Sequence, residues 1–210
     1  MIGLRTRSRD HAIARSHVAV EATPIAQAIV NGDVTRANYT LLLTQLAGVH
    51  ADFERHASLL RNYFDDGTVA AVFRTAAIRS DLTILAEPQP LPACSPGDDL
   101  GDKLDSWTQS SPWMVLGTAY ILEGSRMGSM FLVRALAKAF AVPMEPGHGL
   151  DYHLAGLATR RQDWTRFRGH LDSLPLTVSQ RNDVLFAAIE TMKSLHNIYE
   201  AIPTGQLVTV

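Results

Sequence analysis

Hydrophobic residues recur at helical spacing along nearly the whole chain. The first predicted helix has one apolar face, formed by Val18, Ile25, Ala28 and Ile29 at spacings of three, four and seven residues. We expect Asn31-Gly32 to end this helix and Thr35 to begin the second one. The buried stripe predicted for the second helix consists of Leu42, Leu43, Leu46, Val49, Phe53, Leu59 and Leu60.

The third predicted helix begins after the break at Asp65-Asp66-Gly67 and runs from about Val69 to Ala86. Its apolar positions are Val72, Phe73, Ala76, Ile84 and Leu85. The segment EPQPLPACSPGDD follows, and its four prolines predict a loop. A short helix around Leu100 to Trp107 then leads into the longest apolar helix, predicted from Pro112 to Phe140.

Two further helices are predicted after a second loop, which is marked by Pro143, Pro146, Gly147 and Gly149. The first of them contains Trp164, Phe167 and Leu171. The last is capped by Thr177 and contains Val184, Leu185, Ala188, Ile189, Met192 and Tyr199. Alternation typical of a strand never extends beyond about four residues, and the sequence has no internal repeat. We therefore predict that residues 1–210 form a single all-α domain of roughly seven or eight helices.

Composition narrows the classes of function. The net charge of −2 argues against the uniform basic surface of a nucleic-acid-binding protein. A single cysteine, Cys94, excludes an internal disulfide and a cysteine-rich zinc site, and it favours a reducing compartment. The eight histidines leave metal ligation open.

Targeting signals also favour the cytoplasm. The arginines of the first 15 residues precede no apolar run, so they are typical of a basic first helical turn rather than of a secretory signal or a transit peptide. The most apolar window, Trp113 to Leu122, is much shorter than the roughly 20 residues of a membrane span. We expect a cytoplasmic protein that makes no use of a membrane.

One chemical pattern is the pair His17 and Glu21, four residues apart in the run HVAVEA. Helical spacing places both side chains on one face, where the carboxylate can orient the imidazole and raise its basicity. This arrangement is common for metal-ligating histidines, but it is also common as a weak pair on a helix surface.

A second pattern is EGSRMGSMFLVR, from Glu123 to Arg134. Each glycine within a helix costs about 1 kcal/mol relative to alanine, yet Gly124 and Gly128 lie one turn apart on the same face. A face without side chains allows close approach of either a neighbouring helix or a flat ligand. The segment alone favours neither.

The remaining histidines and the cysteine are weaker candidates. His50 and His56 do not share a helix face, and we expect the later four to be solvated: His148, His153, His170 and His196. Cys94 lies in a proline-rich segment where no neighbour would lower the pKa of its thiol, so it is a poor nucleophile.

Together the two patterns resemble the heme oxygenase family. The run HVAVEATPIAQAIVNGDVTRANYTLLLTQL is similar to the first two helices of that family, and EGSRMGSMFL is similar to the distal-helix signature of its soluble bacterial members. RSDL, WTRFRGHLDSLPL and the final helix ending IYEA match further elements in the expected order. The resemblance therefore covers most of the chain.

The resemblance implies a heme oxygenase-like fold in which heme, both cofactor and substrate, lies between a proximal and a distal helix. His17 would be the iron ligand with Glu21 as its hydrogen-bond partner, and Gly124, Ser125 and Gly128 would line the distal side. Arg134 and Arg168 would bind the heme propionates, with Arg166 and Lys138 as substitutes. The reaction would use O2 and an external electron donor, such as a ferredoxin or a flavoprotein reductase, and yield biliverdin, carbon monoxide and ferrous iron.

The sequence also departs from the family pattern. The usual Leu-Arg-x-x-Thr element does not precede His17 at its normal spacing, because LRTRS precedes His11 instead, which makes His11 a rival iron ligand. The distal aspartate of mammalian members has no secure counterpart, since Ser125 or Arg126 falls near that position. A non-catalytic heme-binding protein therefore remains an alternative. A thiaminase-like enzyme and a helical interaction protein are weaker ones.

Overall fold

A computed structural model describes residue 13 and residues 15–85 and 98–204, and within them the backbone is entirely helix, turn or loop. Residues 15–21 are helical and are named α1. The other α-helices are α2 Pro24–Asn31, α3 Arg36–His56, α4 Asp66–Ala71, α5 Thr75–Leu85, α6 Asp98–Ser110, α7 Val115–Phe140, α8 Asp151–Leu154, α9 Arg160–Ser173 and α10 Val178–Ala201. Short 3-10 turns at Ala57–Asn62 and Pro112–Met114 follow α3 and precede α7. The all-α prediction is confirmed.

The helix ends largely follow the expected capping residues. The Thr35 side chain accepts a hydrogen bond from the Asn38 backbone N–H at the start of α3. Thr177 and Gln180 form a reciprocal capping box at the start of α10. Gly32, with φ +80°, ends α2 in the left-handed conformation that favours glycine.

The hydrophobic core is arranged around α7, whose residues Val115, Leu116, Ala119, Val133 and Leu136 have no measurable exposure. This helix packs along α10 and also contacts α2, α8 and α9. Gly117 allows the close approach to α10, because a Cβ atom there would collide with the Val184 carbonyl oxygen. Glycine at this position is therefore explained by helix packing.

The prediction of one helix from Val18 to Asn31 is wrong. Helical structure ends at Glu21 and resumes at Pro24, which occupies the first position of α2, where its missing N–H is not needed. As a result Val18 does not share the buried face of Ile25 and Ile29, and 62% of its surface is exposed.

The prediction of one helix from Val69 to Ala86 is also wrong, because the chain turns between α4 and α5. The Glu54 carboxylate on α3 accepts hydrogen bonds from the backbone N–H groups of Arg74 and Thr75 at this turn, 2.6 and 2.9 Å away. These contacts provide a cap for the start of α5. Phe73 and Ile84, two of the apolar positions of that predicted helix, are each 43% exposed.

Two predicted helices are shorter than expected: Leu59 and Leu60 lie in the 3-10 turn after α3, and Pro112 lies in the 3-10 turn before α7. Helix α6 is longer than predicted at both ends, and Asp98 and Asp99 belong to it rather than to the loop before it. Cys94 and the rest of that loop lie outside the described residues, as does His11. Helix α8 was not predicted. In the part of the chain that the structure describes, no helix combines the length and apolarity that crossing a membrane requires.

Candidate functional site

A cleft opens between α1, α3, α7, α8 and α10. Its lining residues are His17, Val20, Leu46, Leu122, Ser125, Tyr152, Met192, Leu195 and Tyr199. The cavity between these residues has a volume of about 60 Å³ in this structure, below the roughly 300–1,000 Å³ of pockets that hold small molecules. Most of the lining is apolar, with single polar side chains from α1, α7, α8 and α10, and a large flat ligand would have to widen the cleft.

His17 is the polar residue of the α1 wall, and Glu21 lies beside it. The His17 Nδ1 atom lies 3.3 Å from a Glu21 carboxylate oxygen, as the i, i+4 spacing predicts. The side chains are 52% and 63% exposed, so water reaches the pair. Because Nδ1 faces Glu21, Nε2 is the ring nitrogen that remains for a ligand in the cleft.

The three small residues of the α7 wall have different surroundings. Ser125 lines the cleft, and its hydroxyl donates a hydrogen bond to the Leu122 carbonyl oxygen at 2.8 Å. Gly124 faces α9, where an added Cβ would lie 3.3 Å from the Trp164 ring. Nothing lies within 4 Å of where a Cβ of Gly128 would be. Gly124 thus serves helix packing in this structure, whereas Gly128 leaves open space.

A buried ionic cluster lies behind Ser125. The guanidinium of Arg126 donates a hydrogen bond to Glu123 at 2.6 Å, and that of Arg74 approaches the other Glu123 oxygen at 3.6 Å. Arg160 donates to the carbonyl oxygens of His153 and Ala155, and Arg126 also reaches Ala155. All four side chains of this Glu123 cluster (Glu123, Arg126, Arg74 and Arg160) are at least nine-tenths buried. The cluster therefore joins α7 to the start of α5 and to the α8–α9 segment.

Burial dominates the electrostatics of the Glu123 cluster. It raises the pKa of Glu123, although Arg126 and Arg74 oppose that shift. It lowers the pKa of Arg160 to about 10, and the charges of Arg126 and Arg74 add to that effect. Two guanidinium groups contact the one buried carboxylate and Arg160 adds a third nearby, so the interior behind the cleft is rich in positive charge.

Tyr152 connects this interior with the cleft. Its backbone N–H and that of Asp151 donate to the Asp81 carboxylate at 2.8 and 2.7 Å. Its hydroxyl lies 3.3 Å from His50 Nε2. Burial raises the pKa of Asp81 to about 6, while the two N–H donors act in the opposite direction. Asp81 belongs to the RSDL element, so this carboxylate explains part of that motif.

The predicted propionate partners lie away from the cleft lining. Arg134 on α7 and Arg168 on α9 are exposed. The substitutes Arg166 and Lys138 are also exposed, and Arg166 pairs with Asp163 at 3.3 Å. The structure thus groups His17 and Ser125 around one cleft, places Glu21 beside His17, and leaves these cations elsewhere on the surface.

The solvated state predicted for the later histidines is wrong for His153, which is 4% exposed. Burial and the charge of Arg160 lower the pKa of His153 to about 3. His50 is 2% exposed, and burial together with Arg74 lowers its pKa to about 3 as well. Within the described ranges, no three His, Cys, Asp or Glu side chains converge to hold a metal ion.

Tyr152 and Tyr199 are the polar cleft residues that sequence reasoning missed as site residues. Tyr199 was assigned to the apolar face of the last helix, and Tyr152 lies in the unpredicted helix α8. The only available signal for Tyr152 was its place in the short polar run Asp151-Tyr152-His153 after a glycine-rich loop.

Sequence comparison links the chain to a known family. The family model described as heme oxygenase matches residues 6–201, which is most of the chain. A search of curated protein sequences gives no match.

Solved structures show the same fold at low sequence identity. The heme oxygenase of Leptospira interrogans is 17% identical, with a TM-score of 0.79 over 91% of this chain and 96% of that one. Heme oxygenase-1 of Synechocystis in complex with heme is 15% identical, with a TM-score of 0.75 over 92% and 89%. A domain of unknown function from Shewanella denitrificans, described as having a heme oxygenase-like fold, is 14% identical, with a TM-score of 0.67 over 96% and 93%.

Proposed function

Because the chain belongs to the heme oxygenase family, we propose that it binds heme and cleaves it oxidatively. The products would be biliverdin, carbon monoxide and ferrous iron. The reaction would use O2 and electrons from an external redox protein, such as a ferredoxin or a flavoprotein reductase. The observation that carries the proposal is that His17, paired with Glu21, and Ser125 line the same apolar cleft.

His17 is the proposed iron ligand. Glu21 holds the imidazole through Nδ1, which fixes the tautomer and leaves the Nε2 lone pair for the metal. Bound heme supplies the iron that activates O2 and is itself the molecule that is cleaved. Because the Glu21 side chain is 63% exposed, water competes with the imidazole for its carboxylate.

The α7 wall is the proposed distal side. Ser125 reaches the cleft directly, and the space beside Gly128 allows a flat ligand to approach the helix backbone. Gly124 serves the same side by letting Trp164 pack closely against α7. Apolar neighbours such as Leu122 and Met192 exclude bulk water from the reacting atoms.

Arg134 and Arg168 are the proposed partners of the heme propionates, with Arg166 and Lys138 as substitutes. Neither Arg134 nor Arg168 lines the cleft. The proposal for these residues is supported by their positive charge and by their match to basic positions of the family. The single cysteine favours a reducing compartment, so we place the activity in the cytoplasm.

A direct assay tests the proposed function. Hemin is added to the purified protein, followed by a reductant and air, and the Soret band is recorded. Heme cleavage removes the band and produces the absorbance of biliverdin. Absence of any change in the hemin spectrum on adding the protein would contradict heme binding altogether.

The second candidate function is a heme-binding protein without turnover. It is favoured by the cleft lining, which in the described part of the chain contains no carboxylate on the α7 and α8 walls. It predicts a stable ferric or oxygen-bound complex that persists under reductant and air. The same assay therefore separates the two functions.

A further inference from the structure

Helix α8 is a short part of the cleft wall. It consists of Asp151–Leu154, packs on α7 and α5, and contributes Tyr152 to the cleft lining. The Asp81 carboxylate accepts hydrogen bonds from its first two backbone N–H groups. Residues 143–148, which precede α8, are all exposed. A single helical turn that follows an exposed loop is typical of a segment that opens locally while the rest of the domain stays folded.

Two buried histidines are covered when α8 is in its observed position. The His50 ring on α3 meets the Tyr152 ring edge to face, with centroids 5.5 Å apart. The His153 ring on α8 stacks on Tyr39 of α3, with centroids 6.1 Å apart. The two histidines are 2% and 4% exposed. Opening of α8 would uncover His50 and carry His153 out of its stack, so both rings would meet water.

Neither ring can take up a proton favourably in this arrangement. An imidazolium carries a hydrogen on both nitrogens, and the Nδ1 atoms of His50 and His153 are buried without a hydrogen-bond partner in the part of the chain that the structure describes. Protonation would therefore create an orphaned donor, whichever tautomer the neutral ring has. It would also add positive charge beside the guanidinium groups of Arg74 and Arg160.

The charged and titratable groups around the two rings come from every element that packs there. The cations are Arg74 before α5, Arg126 on α7 and Arg160 on α9. The carboxylates and phenols are Glu54, Asp81, Glu123, Asp151, Tyr39, Tyr152 and Tyr199. Burial, assisted by Arg74 for His50 and by Arg160 for His153, lowers the pKa of each histidine to about 3. Burial raises the pKa of Asp81 to about 6.

We propose that α8 is an acid-releasable wall of the cleft: protonation of His50 and His153 detaches it from the interior and withdraws Tyr152 from the lining. The histidines favour the closed position fully above about pH 6.5, where both rings are neutral in water as well. Their contribution is lost as the pH falls, because the open state takes up protons that the closed state excludes.

The size of the effect follows from the pKa values. Between pH 7 and pH 5, each histidine raises the opening equilibrium constant by about 25-fold. Asp81 acts in the opposite direction by about tenfold, since the closed state holds its proton more tightly. The net expectation is a rise of about 60-fold.

Hydrogen exchange of the heme-free protein tests the proposal. The backbone N–H groups of Asp151 and Tyr152 report the opening of α8. After correction for the intrinsic exchange rate, their opening constant should rise about 60-fold from pH 7 to pH 5. Low concentrations of urea should leave it unchanged, because a local opening exposes little surface, whereas central N–H groups of α10 should respond to urea. An opening of α8 that ignores pH, or that shares the urea dependence of α10, would overturn the proposal.

Substitutions separate the two histidines. His50→Phe and His153→Phe each keep an aromatic ring in place and should each reduce the rise to about 2.5-fold. The double variant should reverse the pH dependence, because Asp81 is then the group that responds. His148→Phe, in the exposed loop before α8, is the matched control and should keep the rise of the wild type. A double variant with the pH dependence of the wild type would contradict the proposal.

A titration of the wild-type protein tests the same arrangement without a substitution. Imidazole NMR is expected to show His50 and His153 neutral down to pH 5 while α8 is closed. Protonation of either ring near pH 6.5 with no rise in α8 exchange would also overturn the proposal. These measurements use no heme, so their failure leaves the proposed function unaffected, and a failure to bind hemin leaves the acid release of α8 unaffected.

Discussion

The two walls of the cleft are built in opposite ways. On the α1 wall, His17 and Glu21 are more than half exposed and their 3.3 Å contact lies in water. On the α7–α8 wall, Glu123 and Arg126 are 6% and 8% exposed and make a 2.6 Å hydrogen bond inside the protein. The polar groups of the α1 wall are thus exposed to solvent, whereas those of the α7–α8 wall are buried behind the residues that line the cleft.

The difference indicates which wall is fixed before a ligand arrives. Buried polar contacts join α7 to α5 and α8 through Glu123, Asp81 and Arg126, so the position of Ser125 and Tyr152 is set by the protein itself. On the α1 wall the His17–Glu21 contact is more than half exposed, so a ligand bond would contribute much of the order of the His17 side chain. Preorganised groups are most useful where charge develops during a reaction, which agrees with a distal role for the α7–α8 wall.

The largest expected effect is the loss of stability on removing the Glu123 carboxylate behind the α7–α8 wall. Glu123→Ala leaves the Arg74 and Arg126 guanidinium groups without their shared carboxylate, so we expect the free energy of unfolding to fall by about 3–5 kcal/mol. Urea unfolding of the heme-free protein measures this change.

The matched control is Arg61→Ala, which removes the exposed pair with Asp66 and should change stability by less than about 1 kcal/mol. Equal effects of the two substitutions would show that the Glu123 cluster does not hold this wall together.

Removal of His17 tests the opposite wall. His17→Ala is expected to weaken hemin binding by at least about 100-fold and to change the ligand-field spectrum, because the proposed iron ligand is lost. Stability of the heme-free protein should change little, since the side chain is half exposed.

His148→Ala, in an exposed loop, is the control and should bind hemin like the wild type. If His17→Ala kept the wild-type spectrum and affinity, the assignment of His17 would be wrong, and His11 would be the next ligand to test.

Acid sensitivity should arise from the buried wall. His153 is neutral in the folded protein, with a pKa of about 3, but takes up a proton near pH 6.5 when unfolded. The contribution of His153 to the free energy of unfolding is therefore fully present above about pH 6.5. It is lost as the pH falls toward 3, at up to about 1.4 kcal/mol per pH unit. Between pH 6 and pH 4, His153→Phe should reduce the loss of unfolding free energy by up to about 1.4 kcal/mol per pH unit.

Urea unfolding at several pH values measures the slope, with His148→Phe as the control, since that ring lies in water in the folded state as well. Asp81 acts with the opposite sign, because its raised pKa of about 6 makes stability fall as the pH rises from about 4 to 6. A slope that His153→Phe leaves unchanged would mean that His153 is not buried in its neutral form.

The smallest effects are expected at the exposed cations. Arg134→Ala and Arg168→Ala should each weaken hemin binding about two- to fivefold at low salt, since exposed ion pairs contribute about 0.2–1 kcal/mol. High salt should reduce the difference. Lys193→Ala, at another exposed ion pair, is the control. Equal hemin affinity in all three variants would remove both arginines from the propionate assignment.

The sequence predicted features that depend on neighbours along one helix. The i, i+4 contact of His17 and Glu21, the caps at Thr35 and Thr177, and the family itself are confirmed. Local spacing is sufficient for these features because a helix brings together residues three or four positions apart.

Features that depend on distant residues were not predicted. The Glu123–Arg74 contact joins residues 49 positions apart, and His50 meets Tyr152 across 102 positions, so no periodicity indicates them. The break before α5 requires Glu54 on another helix, and the burial of His153 requires the packing of Tyr39 against it. Such contacts follow from tertiary structure rather than from propensity.

Pro24 begins a new helix, so α1 and α2 do not form one continuous helix with a single set of faces. In an unbroken helix with 3.6 residues per turn, Val18 and Ile25 would differ by only about 20° and would face the same side. Instead Val18 lies in water, which forgoes roughly 1.5 kcal/mol of apolar burial. The direction in which the side chains of residues 15–21 point is therefore independent of α2. The α1 side chains that reach the cleft are those of His17 and Val20, which lie one helical turn apart.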